Sequence, residues 1–101
     1  MAVKAEPSDE GKCIKITITR EFDARDYDAF KSAFSQYADQ VCYEIELSGV
    51  TLMDSSALGM LLHLREYALG QGSTVVLTNP SDMVLRNLER AHFQELFEIR
   101  T

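Results

Sequence analysis

Hydrophobic and polar positions alternate in "CIKITIT": Ile14, Ile16 and Ile18 fall on one side, Cys13, Lys15, Thr17 and Thr19 on the other. A period of two sends successive side chains to opposite faces, which predicts a strand with one dry face. "VCYEIELS" repeats the pattern, with Val41, Tyr43, Ile45 and Leu47 opposed to Cys42, Glu44, Glu46 and Ser48. Between these two segments the period changes. Tyr27, Phe30, Phe34 and Tyr37 recur at spacings of three, four and three, one face of an amphipathic helix running to about Ala38. A turn, "REFDARD", leads into it, and Asp23 is placed to accept from the free N–H groups of the first helical turn.

Further along, "LMDSSALGMLL" puts Asp54, Ser55 and Ser56 directly ahead of an apolar run. This predicts a helix from Ser55 or Ser56 to Leu69, closed by Gly70 and Gly72, with either serine able to cap it. On its wheel Ala57, Leu61, Leu64 and Ala68 face inward, Gly59, His63, Glu66 and Gly70 form a polar stripe, and Leu58, Met60, Leu62 and Tyr67 lie on the flanks. That apolar surface is wider than packing on one sheet demands. Either neighbouring helices cover the flanks or part of the surface meets another protein, and near the helix start Leu58 and Met60 are the contact candidates. "STVVLT" predicts a more central strand. In "NPSDMVLRNLERA" Asn79 is the expected cap and Pro80 the first helical residue, with Val84, Leu85, Leu88 and Ala91 buried. His92 follows, a residue that tolerates the left-handed conformation at a helix end. "LFEIR" predicts a short last strand with Phe97 and Ile99 together, and "VKAEPSDEGK" an additional edge strand ahead of a turn, despite Pro7.

Strands alternating with helices imply a largely parallel sheet with crossover connections. A doubly wound sheet would make the strands apolar throughout, whereas most of these are polar on one side, so the helices are expected on one face only.

With 101 residues the chain is expected to form one domain, residues 1–101, the first eleven being an edge strand or a mobile start. No stretch approaches the roughly 18 uninterrupted apolar residues of a membrane span, and "MAVKAEPSDEG" lacks the features of a secretory signal. A cytoplasmic protein without membrane insertion is expected. Ten basic against 16 acidic residues give a net charge of −6, which repels phosphate backbones and argues against nucleic acid as a partner. Cys13 and Cys42 are expected to be reduced thiols.

Catalytic chemistry is hard to assemble from these residues. His63 lies eight positions beyond Ser55 on the same helix, roughly 12 Å along the axis, too far to activate it. The two cysteines and two histidines have no metal-ligand spacing, and there is no glycine-rich phosphate loop between a strand and a helix. A receiver domain accepting phosphate on Asp54 would need a late lysine, but Lys4, Lys12, Lys15 and Lys31 all precede it. No catalytic residue, cofactor or metal is assigned. A phosphoryl group on Ser55 or Ser56, by contrast, would sit at the positive end of a helix, tolerated by the fold yet obstructive to a partner packing there.

The segment from "LSGVTLMDSSALGM" to "FQELFEI", together with "FD" at residues 22 and 23, resembles the STAS domain of bacterial anti-sigma factor antagonists. The resemblance implies a mixed, mostly parallel sheet of four to five strands with helices on one face. It further implies phosphorylation of Ser55 by a serine kinase that is also an anti-sigma factor, reversal by a serine phosphatase, and a partner switch in which the unmodified form binds and the phosphorylated form lets go. Carried over by position, Asp54 neighbours the acceptor, Ser56 helps cap the helix, Asp23 lies on the adjoining partner-facing loop, and Leu58 and Gly59 shape the docking surface. Arg20, Ala57 and His92 stand where the family often has glycine, and the first two add bulk at the docking face. The additional terminal helix that many relatives carry is not expected here, so an open edge or face, or one completed by a second molecule, is expected. Other STAS proteins are fixed subunits of lipid-transport or stress-signalling assemblies, which leaves a non-switching scaffold as the alternative. A small-ligand sensor is a third reading, without a recognisable pocket in the sequence.

Overall fold

The structure is a computed structural model that describes residues 3–8, 12–37 and 41–101. Strands β1 (Val3–Ser8), β2 (Cys13–Phe22), β3 (Cys42–Met53), β4 (Thr74–Thr78) and β5 (Glu98–Arg100) form one sheet in chain order. β1 runs antiparallel to β2, and every other neighbouring pair is parallel. Helices α1 (Tyr27–Ser35), α2 (Ser55–Gly70) and α3 (Asp82–Arg90) make the three crossovers. Because the parallel strands follow one another in order and such crossovers are right-handed, all three helices land on the same face.

Burial follows that geometry. Ile14, Ile16, Ile18, Tyr43, Ile45, Leu47 and Leu77 are buried on the helix side, while Lys15 is exposed and Glu44 and Glu46 are half-buried on the other. The helices return Phe30, Phe34, Ala57, Leu61, Leu64, Val84 and Leu88 to the same core. The N-terminal segment is the expected edge strand, with Val3 paired to Ile18 and buried, and Pro7 tolerated because β1 has a neighbour on one side only.

Two strands run further than the alternation suggests. β2 does not stop before a turn at Arg20: Arg20 takes φ 62° between two register shifts, and the strand resumes to deliver Phe22 to the core. β3 continues past Ser48 to Met53, with Val50 and Met53 buried and Leu52 exposed. At that irregularity a Cβ on Gly49 would lie 3.1 Å from the Thr19 side chain and 3.3 Å from the Ile18 carbonyl oxygen, so the glycine lets the two backbones approach.

The helix ends also differ in detail. α1 closes at Ser35, and the expected end at Ala38 lies outside the described residues. Its C-terminal carbonyls are taken by tyrosines from elsewhere: Tyr43 Oη donates to Phe34 O at 2.8 Å and Tyr67 Oη to Ser35 O at 3.4 Å. Burial pushes the Tyr43 phenol up to about 12. His63 is not on a polar stripe; it is half-buried, stacked on Tyr27 and meeting Phe34 edge-on. Ser81, not Asn79, caps α3 by accepting from Val84 N–H. Asn79 instead takes φ 53°, donates its backbone N–H to Arg100 O at 2.7 Å and its amide to Glu46. His92 does adopt the left-handed conformation, at φ 60°. Phe97 is buried just ahead of β5, two residues before the half-buried Ile99.

Candidate functional site

The loops after β2 and β3 leave the sheet at the same end. Asp54 N–H donates to Phe22 O at 3.4 Å, which sets the start of α2 beside the loop carrying Asp23. Asp54 is extended, at φ −101° and ψ −176°, and its Oδ1 accepts from Ala57 N–H at 3.0 Å. Asp54 is therefore the cap of α2. Its carboxylate reaches the third N–H of the helix, a bond either serine could have made only by staying outside the helical conformation. Ser55 and Ser56 become the first two helical residues, both exposed. Sequence reasoning gave Ser56 a share of the cap; the structure assigns the cap bond to Asp54.

The rest of the motif divides between core and surface. Ala57 and Met60 are buried, at 0% and 4% exposure, so neither side chain is offered to a partner; Met60 packs inward instead of lying on an open flank. Leu58 is half-buried against the core and Gly59 is exposed. A Cβ added at Gly59 would meet nothing within 4 Å. The domain's own packing thus does not require a glycine there, although a helical glycine costs stability. Two exposed side chains that the sequence reading did not single out, Leu52 and Met83, add apolar surface at the same end of the sheet. Leu52 was hidden by reading β3 as ending at Ser48; its outward position follows once Val50 and Met53 are known to point in.

The neighbouring loop is held by charge. Asp23 accepts from Arg25 N–H at 3.0 Å and from the Arg25 guanidinium at 2.9 Å, contacts that hold its carboxyl below the usual carboxylate range. Asp26, buried at 2% exposure, closes a reciprocal cap by accepting from Asp23 N–H at 3.2 Å and takes the Arg20 guanidinium at 2.7 Å. Arg20 thus points its bulk toward Asp26. Asp23 is neutralised by a cation, whereas among the described residues Asp54 makes no ion pair.

No cluster of histidine, cysteine or carboxylate side chains able to hold a metal occurs among the described residues. No described helix is long and apolar enough to cross a membrane. Two open grooves, of about 440 and 210 Å³, lie elsewhere, one between β1 and α1, the other by Leu69 and Leu96. Around Ser55 the geometry offers a surface, with a bare helix backbone at Gly59 and a capped start.

The family described as "Mlab, STAS domain" matches residues 6–98. The chain belongs to the STAS domain family. A STAS-domain containing protein of Pseudomonas aeruginosa (strain UCBPP-PA14) is 38% identical over 100 residues, covering 98% of this chain and 99% of that one. Among solved structures, an anti-sigma-factor antagonist (STAS) domain protein from Planctomyces limnophilus superposes with a TM-score of 0.84 at 18% identity, covering 98% of this chain and 89% of that one. The anti-sigma factor antagonist SpoIIAA in its unphosphorylated form gives 0.74 at 18% identity, covering 97% and 86%. At these identities the structural likeness establishes the fold: a mixed five-stranded sheet, mostly parallel, with three helices. The helix start of this STAS domain is the part whose chemistry must be read from its own residues.

Proposed function

We propose that this STAS domain is a protein-binding module switched by phosphorylation of Ser55. The unmodified form binds a serine kinase of the anti-sigma type through the end of the sheet that carries Asp23, Asp54, Ser56, Leu58 and Gly59; phosphorylation releases it, and a serine phosphatase restores binding. The observation that carries the reading is the division of labour at the start of α2. Asp54 makes the cap bond, so the exposed Ser55 hydroxyl is spared for chemistry and its modification costs the fold little. A phosphoryl group there adds about −1.5 to −2 charges beside the Asp54 carboxylate, which makes no ion pair among the described residues. The helix N-terminus accommodates that charge; a partner packed over Gly59 does not.

That SpoIIAA is described in an unphosphorylated form supports the reading by analogy of fold. The surface character of the site, away from both grooves, favours a protein over a small ligand. The test is intact mass with site mapping on protein purified from its native cells in the presence of phosphatase inhibitors, paired with partner capture by Ser55→Ala and Ser55→Asp. One phosphoryl group on Ser55, with the Asp variant losing a partner that the Ala variant keeps, is the expected result. An unmodified Ser55 in every growth condition, with both variants binding alike, overturns the switch and leaves a fixed STAS subunit that docks through the same surface.

A further inference from the structure

Cys13 opens β2 and Cys42 opens β3, and the parallel register pairs them directly. The next pair along, Ile14 with Tyr43, turns into the helix-covered core and is buried. By alternation the two cysteines share the helix-free face, where both are partly accessible. In-register residues on adjacent strands have α-carbons about 4.8 Å apart, inside the roughly 4.4–6.8 Å that disulfides bridge. The whole of α1 separates them in sequence. Only the folded sheet places the two residues side by side.

We infer that Cys13 and Cys42 form a reversible dithiol–disulfide pair, a second covalent modification site whose co-reactant is a low-molecular-weight disulfide of the oxidised glutathione class. The thiolate of one cysteine attacks the small disulfide, giving a mixed disulfide and one small thiol; the other cysteine then attacks the protein sulfur and expels the second small thiol. Two S–H bonds become one S–S bond, and the two electrons and two protons leave with the two small thiols. Exchange in the reverse direction restores the thiols.

Strand geometry sets the character of this bond. Parallel neighbours point their β-carbons the same way at about 4.8 Å, whereas a relaxed disulfide wants about 3.8 Å, so closure must tilt the two β-carbons toward each other by about 1 Å. Both strands lie inside the sheet, where Ser8 also flanks Cys13 and Thr74 also flanks Cys42, so the ladder resists that movement and the tension stays in the bond. A bond closed under such tension is more easily reduced than a structural one, which suits a reversible mark. It lies at the opposite end of the strands from Asp23 and Asp54 and leaves the docking surface open.

The test exposes the reduced full chain to oxidised glutathione, followed by acid quenching, intact mass and peptide mapping. The expected product is a monomer lighter by two hydrogens, with Cys13 linked to Cys42 and both thiols returned by dithiothreitol. Cys13→Ser and Cys42→Ser should each stop at one mixed disulfide. The ratio of internal to mixed disulfide should be at least about tenfold higher in the folded chain than in guanidinium, because the sheet raises the local thiol concentration. Mixed disulfides that persist on the native wild type, bridging between two copies, or equal ratios folded and unfolded would each overturn the inference.

Discussion

Arg20, Asn79 and His92 hold φ values of 62°, 53° and 60°, a region that crowds any residue with a Cβ. Two of them, Arg20 and His92, stand where the resemblance to STAS domains leads one to expect glycine. Their surroundings make the two cases differ. The exposed His92 ring lies 3.1 Å from the exposed Glu95 carboxylate, a surface contact of little worth to stability. His92→Gly should therefore raise unfolding stability by about 1 kcal/mol, the left-handed penalty relieved, read as a higher urea midpoint at unchanged slope. Arg20 holds the buried Asp26 carboxylate, which in turn fixes Asp23. Arg20→Gly relieves the same backbone strain but strips a buried charge of its cation, so the urea midpoint should fall. A rise in Arg20→Gly as large as that in His92→Gly would show that the ion pair contributes nothing to the fold. His92 was legible in the sequence because it follows a complete helical pattern, whereas Arg20 was read as the end of a strand: a charged residue after "ITIT" gives no sign that the backbone bulges and resumes.

At the scale of the element, the start of α2 separates capping from chemistry. Asp54→Ala should cost about 1 kcal/mol, the worth of one cap, while Ser55→Ala should stay within about 0.5 kcal/mol of wild type, as an exposed substitution does. If thermal melts show the reverse, Ser55 is a structural cap and its hydroxyl is not spared for modification. Gly59→Ala belongs to the same argument. With no neighbour for the added methyl group, it should stabilise the helix by about 0.5–1 kcal/mol yet weaken partner capture, since the bare backbone is then lost to docking. Helix boundaries of this kind were only partly readable from residue types. Aspartate and serine are all good caps, so "DSS" predicted that a helix begins there without saying which side chain makes the bond. The same holds at "NPS", where Ser81 caps and Asn79 turns the chain instead.

Across the whole molecule, periodicity carried the architecture: the dry faces of "CIKITIT" and "VCYEIEL" required one helical layer, and that is where the core lies. What periodicity could not supply is the set of long-range polar links, because these depend on register between strands. Glu46 is the main example. It looked like one more polar residue on the wet face of β3. In the structure its carboxylate accepts from Ser48 N–H at 3.0 Å and Asn79 Nδ2 at 3.0 Å and shares the Thr78 hydroxyl proton, at 3.3 Å, with the Ile45 carbonyl oxygen at 3.2 Å, tying β3 to the end of β4. Burial works to raise its pKa, but the donated hydrogen bonds prevail and hold it below the ordinary 4.5. A carboxylate depressed on folding stabilises the native state above its unfolded pKa, and the contribution is lost as pH falls through the folded value. Glu46→Gln keeps an acceptor and removes the charge. The variant should be less stable than wild type at neutral pH, and the difference between their urea midpoints should shrink as pH drops below about 4.5. A gap that stays constant across this range would mean that the amide disturbs packing at the β3–β4 link, and that the charge on Glu46 is not what holds the two strands together there.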